Sequence, residues 1–432
     1  MLYAYLQCPH RVTMDAFGDP ARRDPVSPFV EMLWDRGTIY EAEVVARLGT
    51  PFRNLSHLEG DEKERATREA IACREPLIYS GRLTVDGLLG VPDLLRLEAG
   101  GYVAIDIKSG SGTREASYDD GDEDGEPKPK KTYGVQLALY TDLLERVGAS
   151  AGRWAYIWDV RGREVRYDLE RPLGPKSPSL WQGYAETLAA VRETLATGGR
   201  TRAAAGTVCK PCVWRTACSG ALREADDLSL LPEVGRKTRD ALAEAFPTIR
   251  DLAIANVERY IERRGKSEKS TLRGVGADSL RKFHRRARLL QERAPQAYLK
   301  RPWSAPAAEV EFFLDVETDP LRDWCYLHGV VIREPGRDGA ESFQAFWMET
   351  ETPAGEREAF AAVWELIQQR PQAVIYVYSA YEKAQYRKLA RRYPDVCPVE
   401  AVDALFAPGG RVIDLYFGVV RSHTEWPTED FS

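Results

Sequence analysis

Three cysteines, Cys209, Cys212 and Cys218, fall in a C-x2-C-x5-C run, and a fourth, Cys8, stands near the N-terminus in Leu6-Gln7-Cys8-Pro9. With only 7 cysteines in 432 residues, so tight a run reads as a metal–thiolate site. Three thiolates need a fourth ligand. Cys8 is the expected one, with His10 as the fallback, so the site would staple the start of a first domain to its end. Spacing alone leaves tetrahedral Zn²⁺ and an iron–sulfur cluster both open. Cys73, Cys325 and Cys397 have no Cys or His at ligand spacing and are expected to be small core residues. The first residues lack a basic segment followed by a long apolar run, so no signal peptide is expected. An odd cysteine count then argues against a disulfide framework.

The rest of the composition is that of a globular protein: 44% hydrophobic, 29% charged and 10% aromatic residues. The length predicts two to four domains. No uncharged apolar run is long enough to span a bilayer, so no membrane segment is expected and the chain is placed in the cytoplasm. The net charge of −6 conceals segregation. Between Leu228 and Arg301 there are 18 Lys/Arg against 9 Asp/Glu, which makes a basic module inside an acidic chain. Such a module is suited to phosphates. The loop Glu115 to Glu126 holds seven acids and is expected to be a self-repelling, mobile insertion.

Hydrophobic periodicity separates three regions. Residues 1–222 alternate helical and strand patterns and close on the cysteine run. Helices are expected over 30–48, 133–147 and 180–195, with strand-like runs at 77–85, 88–97, 102–108, 153–160 and 164–169. Residues 226–300 show helical pattern throughout. The third region, 305–432, follows the Pro-bearing linker Arg301-Pro302-Trp303-Ser304-Ala305-Pro306 and reads strand, strand, strand, helix, strand, helix.

The first region carries Gly90-x-x-Asp93, then Asp106-Ile107-Lys108, then Gln136-x-x-x-Tyr140 on a following helix. Asp106 and Lys108 share a strand face, because side chains alternate. Gln136 and Tyr140 share a helix face. Two carboxylates with a backbone carbonyl make a hard oxygen site for Mg²⁺ or Mn²⁺. A lysine beside them could orient a water or offset charge building on a phosphate.

This order resembles the RecB-type PD-(D/E)xK nucleases, and the four-cysteine frame resembles their iron–sulfur subgroup, which includes CRISPR-adaptation nucleases and the AddB recombination subunit. The resemblance spans residues 1–220. It implies metal ligation by Asp93, Asp106 and the Ile107 carbonyl, a catalytic Lys108, and substrate positioning by Gln136 and Tyr140. It also implies a [4Fe–4S] cluster on Cys8, Cys209, Cys212 and Cys218 rather than Zn²⁺. One departure stands out. The family's G-x-x-H motif is Gly37-Thr38-Ile39-Tyr40 here, followed by Glu41. A phenol is a poor Mg²⁺ ligand, so the site is expected to lean on carboxylates and water, with weakened activity.

In the second region, Leu231-Pro232-Glu233-Val234-Gly235 and Leu272-Arg273-Gly274-Val275-Gly276 each precede a basic helix. These turns resemble helix-hairpin-helix motifs. Glycine at a helix N-terminus lets backbone N–H groups approach a phosphate. Gly235, Arg236, Lys237, Gly274 and Gly276 are the expected DNA contacts, mainly to the backbone and sensitive to salt. Glu233, where Gly is common, makes the first copy the weaker.

In the third region, Asp315 and Glu317 lie on one strand face and resemble the first motif of DEDD exonucleases in the ribonuclease H-like fold. The run Ile375 to Glu382 resembles the second, with Glu382 near the expected acid. All three acids are candidate metal ligands. Asp414 is a further acid without an assigned role. The family's last helix is not found after Asp414, so this domain is expected to be C-terminally incomplete, with weak or no exonuclease activity.

The sequence thus predicts an α/β chain in three parts: a restriction-endonuclease-like PD-(D/E)xK domain over 1–222, a helical helix-hairpin-helix module over 226–300 and a ribonuclease H-like α/β domain over 305–432. The expected activity is that of a Mg²⁺- or Mn²⁺-dependent deoxyribonuclease on single-stranded or end-bearing DNA, in DNA repair or processing. Two alternatives stand beside it, a DNA-binding protein with degenerate nuclease sites and a 3′–5′ exonuclease acting through the third domain.

Overall fold

A computed structural model describes the chain except for residues 115–127, 175–176, 200, 266, 320–321, 336–339 and 429–432. The acidic loop expected at Glu115 to Glu126 therefore lies outside the described residues. The chain divides into two compact units, Met1–Glu224 and Ala225–Ser432. The region 226–300 and the region from 305 onward belong to the same unit. Among the described residues, no helix is long and apolar enough to cross a membrane.

In the first unit, helix α1 (Pro28–Ala46) starts at an N-cap, Ser27, whose side chain accepts from the Val30 N–H, with Pro28 in the first turn. A six-stranded sheet follows in sequence order: β1 (Arg53–Asn54), β2 (Leu77–Tyr79), β3 (Leu94–Glu98), β4 (Gly101–Ile107), β5 (Trp154–Trp158) and β6 (Glu164–Asp168). The β1–β2 and β4–β5 pairs are parallel, and the other neighbours are antiparallel. A parallel pair needs a crossover, and helix α2 (Lys131–Arg146) supplies it between β4 and β5. Helix α3 (Leu180–Ala196), opened by a Ser179/Gln182 capping box, packs beside α2.

Strand β4 is buried along its whole length, as expected of a strand covered on both faces. Ala104 belongs to the core made with Leu137, Ala138, Leu143 and Leu144 of α2. Ile105 and Ile107 belong to the core that Val44 and Val45 of α1 complete. The long strand runs expected at 77–85 and 88–97 are each broken in two. Ser80 at φ +58° ends β2, and a short hairpin, Leu83–Val85 with Leu88–Gly90, precedes Asp93.

In the second unit, α4 (Arg236–Ala243) and α5 (Ala277–Leu290) follow the two Val-Gly turns. The region between them is not helical throughout, as the sequence suggested. Ile261–Arg264 pairs antiparallel with Ser267–Ser270. Gly265 at φ +63° turns the chain, and the directly opposed Arg263 and Glu268 form an ion pair across the strands. In a run this polar, the turn and the cross-strand charge pair decide the structure.

The rest of the unit is a five-stranded sheet in the order β9-β8-β7-β10-β11: β7 (Glu311–Asp319), β8 (Trp324–Arg333), β9 (Glu341–Trp347), β10 (Val374–Val377) and β11 (Val412–Asp414). β7, β8 and β9 are antiparallel, while β10 and β11 run parallel to β7. Helices α6 (Pro353–Gln369) and α7 (Tyr381–Arg392) pack Phe360, Val363, Ile367, Tyr386 and Leu389 against Phe312, Leu314, Val316 and Ile375. Tyr298–Leu299 pairs with Thr424–Glu425 within the unit. There the buried Arg286 meets the buried Glu425 at 2.8 Å.

Candidate functional site

The first site forms at the end of β4. Because the strand is otherwise apolar and covered on both faces, its one carboxylate, Asp106, is only 2% exposed. Lys108 lies two residues on, on the same face, and forms an ion pair with Asp106 Oδ2. Asp93 sits just before β3, where its Oδ2 accepts a 2.6 Å hydrogen bond from the Ile107 N–H. Ile107 thus meets the pair through its N–H in this arrangement. From α2, Gln136 Nε2 donates to the Tyr140 hydroxyl at 2.7 Å and stands 3.5 Å from Asp106 Oδ1. All five residues picked from spacing therefore converge on one place.

Helix α2 can come this close because Gly90 has no side chain. A Cβ there would lie 2.6 Å from Leu143 Cδ1 and 2.9 Å from Tyr140 Cδ1.

The electrostatics are those of crowded acids. Burial, and then the negative charges of Asp106 and Glu41, raise the pKa of Asp93. Burial also raises that of Asp106, against the pull of Lys108. Burial would lower Lys108, but the charge of Asp106 and its hydrogen bond outweigh it, so the ammonium is held above its usual value.

Glu41 is the residue that the sequence reading passed over. Its charge acts on Asp93 and on the Tyr79 hydroxyl, whose pKa it helps burial to raise. Tyr40, which occupies the motif position, instead donates its hydroxyl to the Asp159 carbonyl at 2.6 Å. The signal was present, since a carboxylate directly follows the motif position. One residue along a helix turns the side chain by about 100°.

Among the described residues, no group of three or more His, Cys, Asp or Glu side chains is placed so that it could hold a metal ion. The donor chemistry nevertheless fits a hard divalent cation. Asp93, Asp106 and Glu41 bring more negative charge to the site than Lys108 offsets.

Cys8, Cys209, Cys212 and Cys218 line one cavity of about 30 Å³. Cys8 lies between two N-terminal helices, Leu2–Gln7 and Pro9–Phe17, and none of the seven cysteines is in a disulfide. Burial, and then the neighbouring thiols Cys212, Cys8 and Cys209, push Cys218 up to about 11. A soft cation would let such thiols ionise together. His10, the fallback ligand, hydrogen-bonds to Thr201 Oγ1 at 3.0 Å.

In the second unit, Asp315 and Glu317 are exposed on one face of β7. Glu382, in the first turn of α7, is 2% exposed. Burial, with the charges of Asp315 and Asp414 adding to it, pushes Glu382 up to about 7. Asp414, left without a role by the sequence, caps the turn after β11 by accepting from the Phe417 N–H at 2.9 Å. It also accepts from the Ser379 N–H at 3.2 Å. Asp315, Glu382 and Asp414 thus form a second acidic cluster.

Of the expected DNA contacts, Gly235 and Gly276 are the N-caps of α4 and α5, and Gly274 has φ +83°. Arg236 and Lys237 open α4. The N-terminus of α5 borders a shallow concavity of about 740 Å³ lined by Arg263, Gly265, Glu268, Gly276, Asp278 and Ser279. Glu233, at φ +66°, is engaged by Lys282, Arg286 and Arg421.

No curated protein matches the chain. Residues 22–219 match the family model of the PD-(D/E)XK nuclease superfamily. Residues 312–428 match that of the RNase_H superfamily. With Asp93 and Asp106 lying inside the first match and the second acidic cluster inside the other, the chain carries a PD-(D/E)XK nuclease domain and an RNase H-like domain, the equipment of a nuclease hydrolase whose substrate is nucleic acid.

Proposed function

We propose that the first unit is a metal-dependent deoxyribonuclease that cleaves single-stranded or end-bearing DNA in repair or processing in the cytoplasm. The observation that carries this reading is the convergence of Asp93 and Asp106 on Lys108 at the end of a buried strand, with the charge of Glu41 acting on Asp93. Asp93, Asp106 and Glu41 would hold Mg²⁺ or Mn²⁺. When bound, such an ion supplies an activated water and charge stabilisation at the phosphate.

The chain's own groups do the rest. Lys108, held charged by Asp106, offsets negative charge on the phosphate and orients the attacking water. Gln136, braced by Tyr140, keeps the Asp106 carboxylate aimed and presents an amide to the substrate. The deciding experiment is cleavage of end-labelled single- and double-stranded DNA, with an RNA arm, in Mg²⁺ or Mn²⁺ by parent and Asp106→Ala. Cleavage by the parent and its loss in the variant support the reading. Unchanged cleavage in the variant moves the activity to the second unit, where Asp315, Glu317, Glu382 and Asp414 support the alternative 3′–5′ exonuclease. No cleavage by either favours a DNA-binding protein with degenerate sites.

The reading includes an iron–sulfur cluster on Cys8, Cys209, Cys212 and Cys218, supported by their shared cavity and by the resemblance of their spacing. A brown, anaerobically purified protein with visible absorbance is expected, and a colourless, zinc-loaded one would exclude the cluster. Backbone contacts to DNA by Gly235, Arg236, Lys237, Gly274 and Gly276 complete the reading, and a binding affinity without a salt slope would remove them.

A further inference from the structure

The segment that leads into α2, Lys128-Pro129-Lys130-Lys131-Thr132-Tyr133, concentrates positive charge beside the nuclease carboxylates. None of these residues belongs to the set discussed above. Lys128–Pro129 pairs with Thr113–Arg114 as a two-stranded ribbon. The Lys130 N–H donates to the Tyr167 hydroxyl at 3.1 Å, which fixes the backbone at this point.

Tyr133 then organises two ammonium groups. The Lys108 Nζ lies 5.6 Å from the centre of its ring, and the Lys130 Nζ lies 5.0 Å from the same centre. Both are within cation–π range. The two charges are therefore no more than 10.6 Å apart. That span covers at most about three phosphates of one strand, at about 3.4 Å of axis for each.

Asp106 pairs with Lys108 and fixes its ammonium on the strand side of the ring. Lys128 and Lys131 are exposed on the same segment and extend the positive lip outward.

We propose that Lys130 is a phosphate-binding residue of the first site, and that Tyr133 positions it together with Lys108. Lys108 then serves the scissile phosphate, while Lys130 grips a neighbouring phosphate of the same strand. The ligand is the sugar–phosphate backbone of a single strand, contacted without regard to base. This deepens the nuclease reading and rests on it for the role of Lys108.

The test measures binding of a fluorescein-labelled 20-nucleotide thymidylate strand to the full chain by anisotropy in EDTA, across a salt series. Each single-strand phosphate contact contributes about 0.7 to the slope of log affinity against log salt. Lys130→Gln is expected to lower the slope by about that amount, and Lys130→Arg to keep it. Tyr133→Leu should behave like Lys130→Gln, whereas Tyr133→Phe, which keeps the ring, should match the parent. Where cleavage is measurable, Lys130→Gln should raise KM more than it lowers kcat.

A Lys130→Gln slope equal to that of the parent overturns the phosphate role. A Tyr133→Leu slope equal to that of the parent, or failure of Tyr133→Phe to restore what Tyr133→Leu loses, overturns the positioning role. These outcomes are separate from the fate of the nuclease reading. A parent that binds with the predicted slopes but cannot cleave loses the catalysis and keeps the Lys130 site. A parent that cleaves through Asp106 with unaltered Lys130→Gln slopes keeps the catalysis and loses this site.

Discussion

Asp93 Oδ2 accepts a 2.6 Å hydrogen bond from the Ile107 N–H, which ties the residue before β3 to the end of β4. The bond holds Asp93 close to Asp106, where burial and the neighbouring acids raise its pKa. An amide in place of the carboxylate would relieve that crowding. Asp93→Asn is expected to abolish cleavage and, in EDTA, to raise the melting temperature, since sites kept charged for function are commonly stabilised by neutralisation. A variant that melts below the parent would contradict the crowding.

Glu41 should matter as much as the residues that the motif names. Glu41→Gln is expected to lower cleavage by roughly 100-fold, the usual scale for removing one charge-stabilising group. Tyr40→Phe loses only a hydroxyl bond to the Asp159 carbonyl and should leave kcat near the parent value. Steady-state rates of the two variants, measured side by side, decide which residue occupies the site.

Gly90 makes a packing prediction. A methyl group there meets Leu143 and Tyr140 well inside contact distance. Gly90→Ala should destabilise the first unit by about 1–3 kcal/mol, the usual cost of overpacking. Urea denaturation would measure it, and cleavage should fall as Tyr140 and Gln136 are pushed away from Asp106.

Arg286 and Glu425 make a buried pair at 2.8 Å, and Arg286 also donates to the Pro232 carbonyl at 2.8 Å. Without Arg286, the buried Glu425 keeps only the longer contacts to Arg285 at 3.7 Å and Lys300 at 3.8 Å. Arg286→Met should cost about 3–5 kcal/mol. A thermal melt that moves by less than a degree would show that the pair is replaceable.

Glu233 predicts acid lability. Burial alone would raise its pKa, but hydrogen bonds from Lys282 and Arg286 and their charges override that and hold it at about 2. Its value in the unfolded chain is the usual 4.5. A depressed acid stabilises the fold above its unfolded pKa, and that contribution drains away as pH falls from 4.5 toward 2. Glu233→Gln should be less stable than the parent at pH 7 and lose less on acidification. Melting temperatures at pH 7, 4 and 3 test both halves.

Much of the first site was legible because strand and helix periods place side chains predictably. Asp106 and Lys108 share a face at a spacing of two, and Gln136 and Tyr140 at a spacing of four. Glu41 was missed because the motif drew attention to Tyr40, and which of two adjacent helical residues acts on Asp93 and which packs on the apolar core depends on packing that no local pattern records. Asp414 was seen but given no role, since only the parallel pairing of β10 with β11 brings it to Glu382. The hairpin at 261–270 escaped because nearly every residue in it is polar and gives no hydrophobic period. Its cross-strand charges make sense only once the turn is known.

Strand β7 writes two messages in one line. Phe312, Leu314 and Val316 are buried, while Asp315 and Glu317, between and beyond them, face outward. A shift of a single residue against β8 would drive both carboxylates into the apolar layer and expel the side chains that hold α6 and α7. The acids that could bind a cation thus also act as a proofreader of strand alignment. Any misregistered form of this sheet is penalised by the same charges that equip the correctly folded one for chemistry.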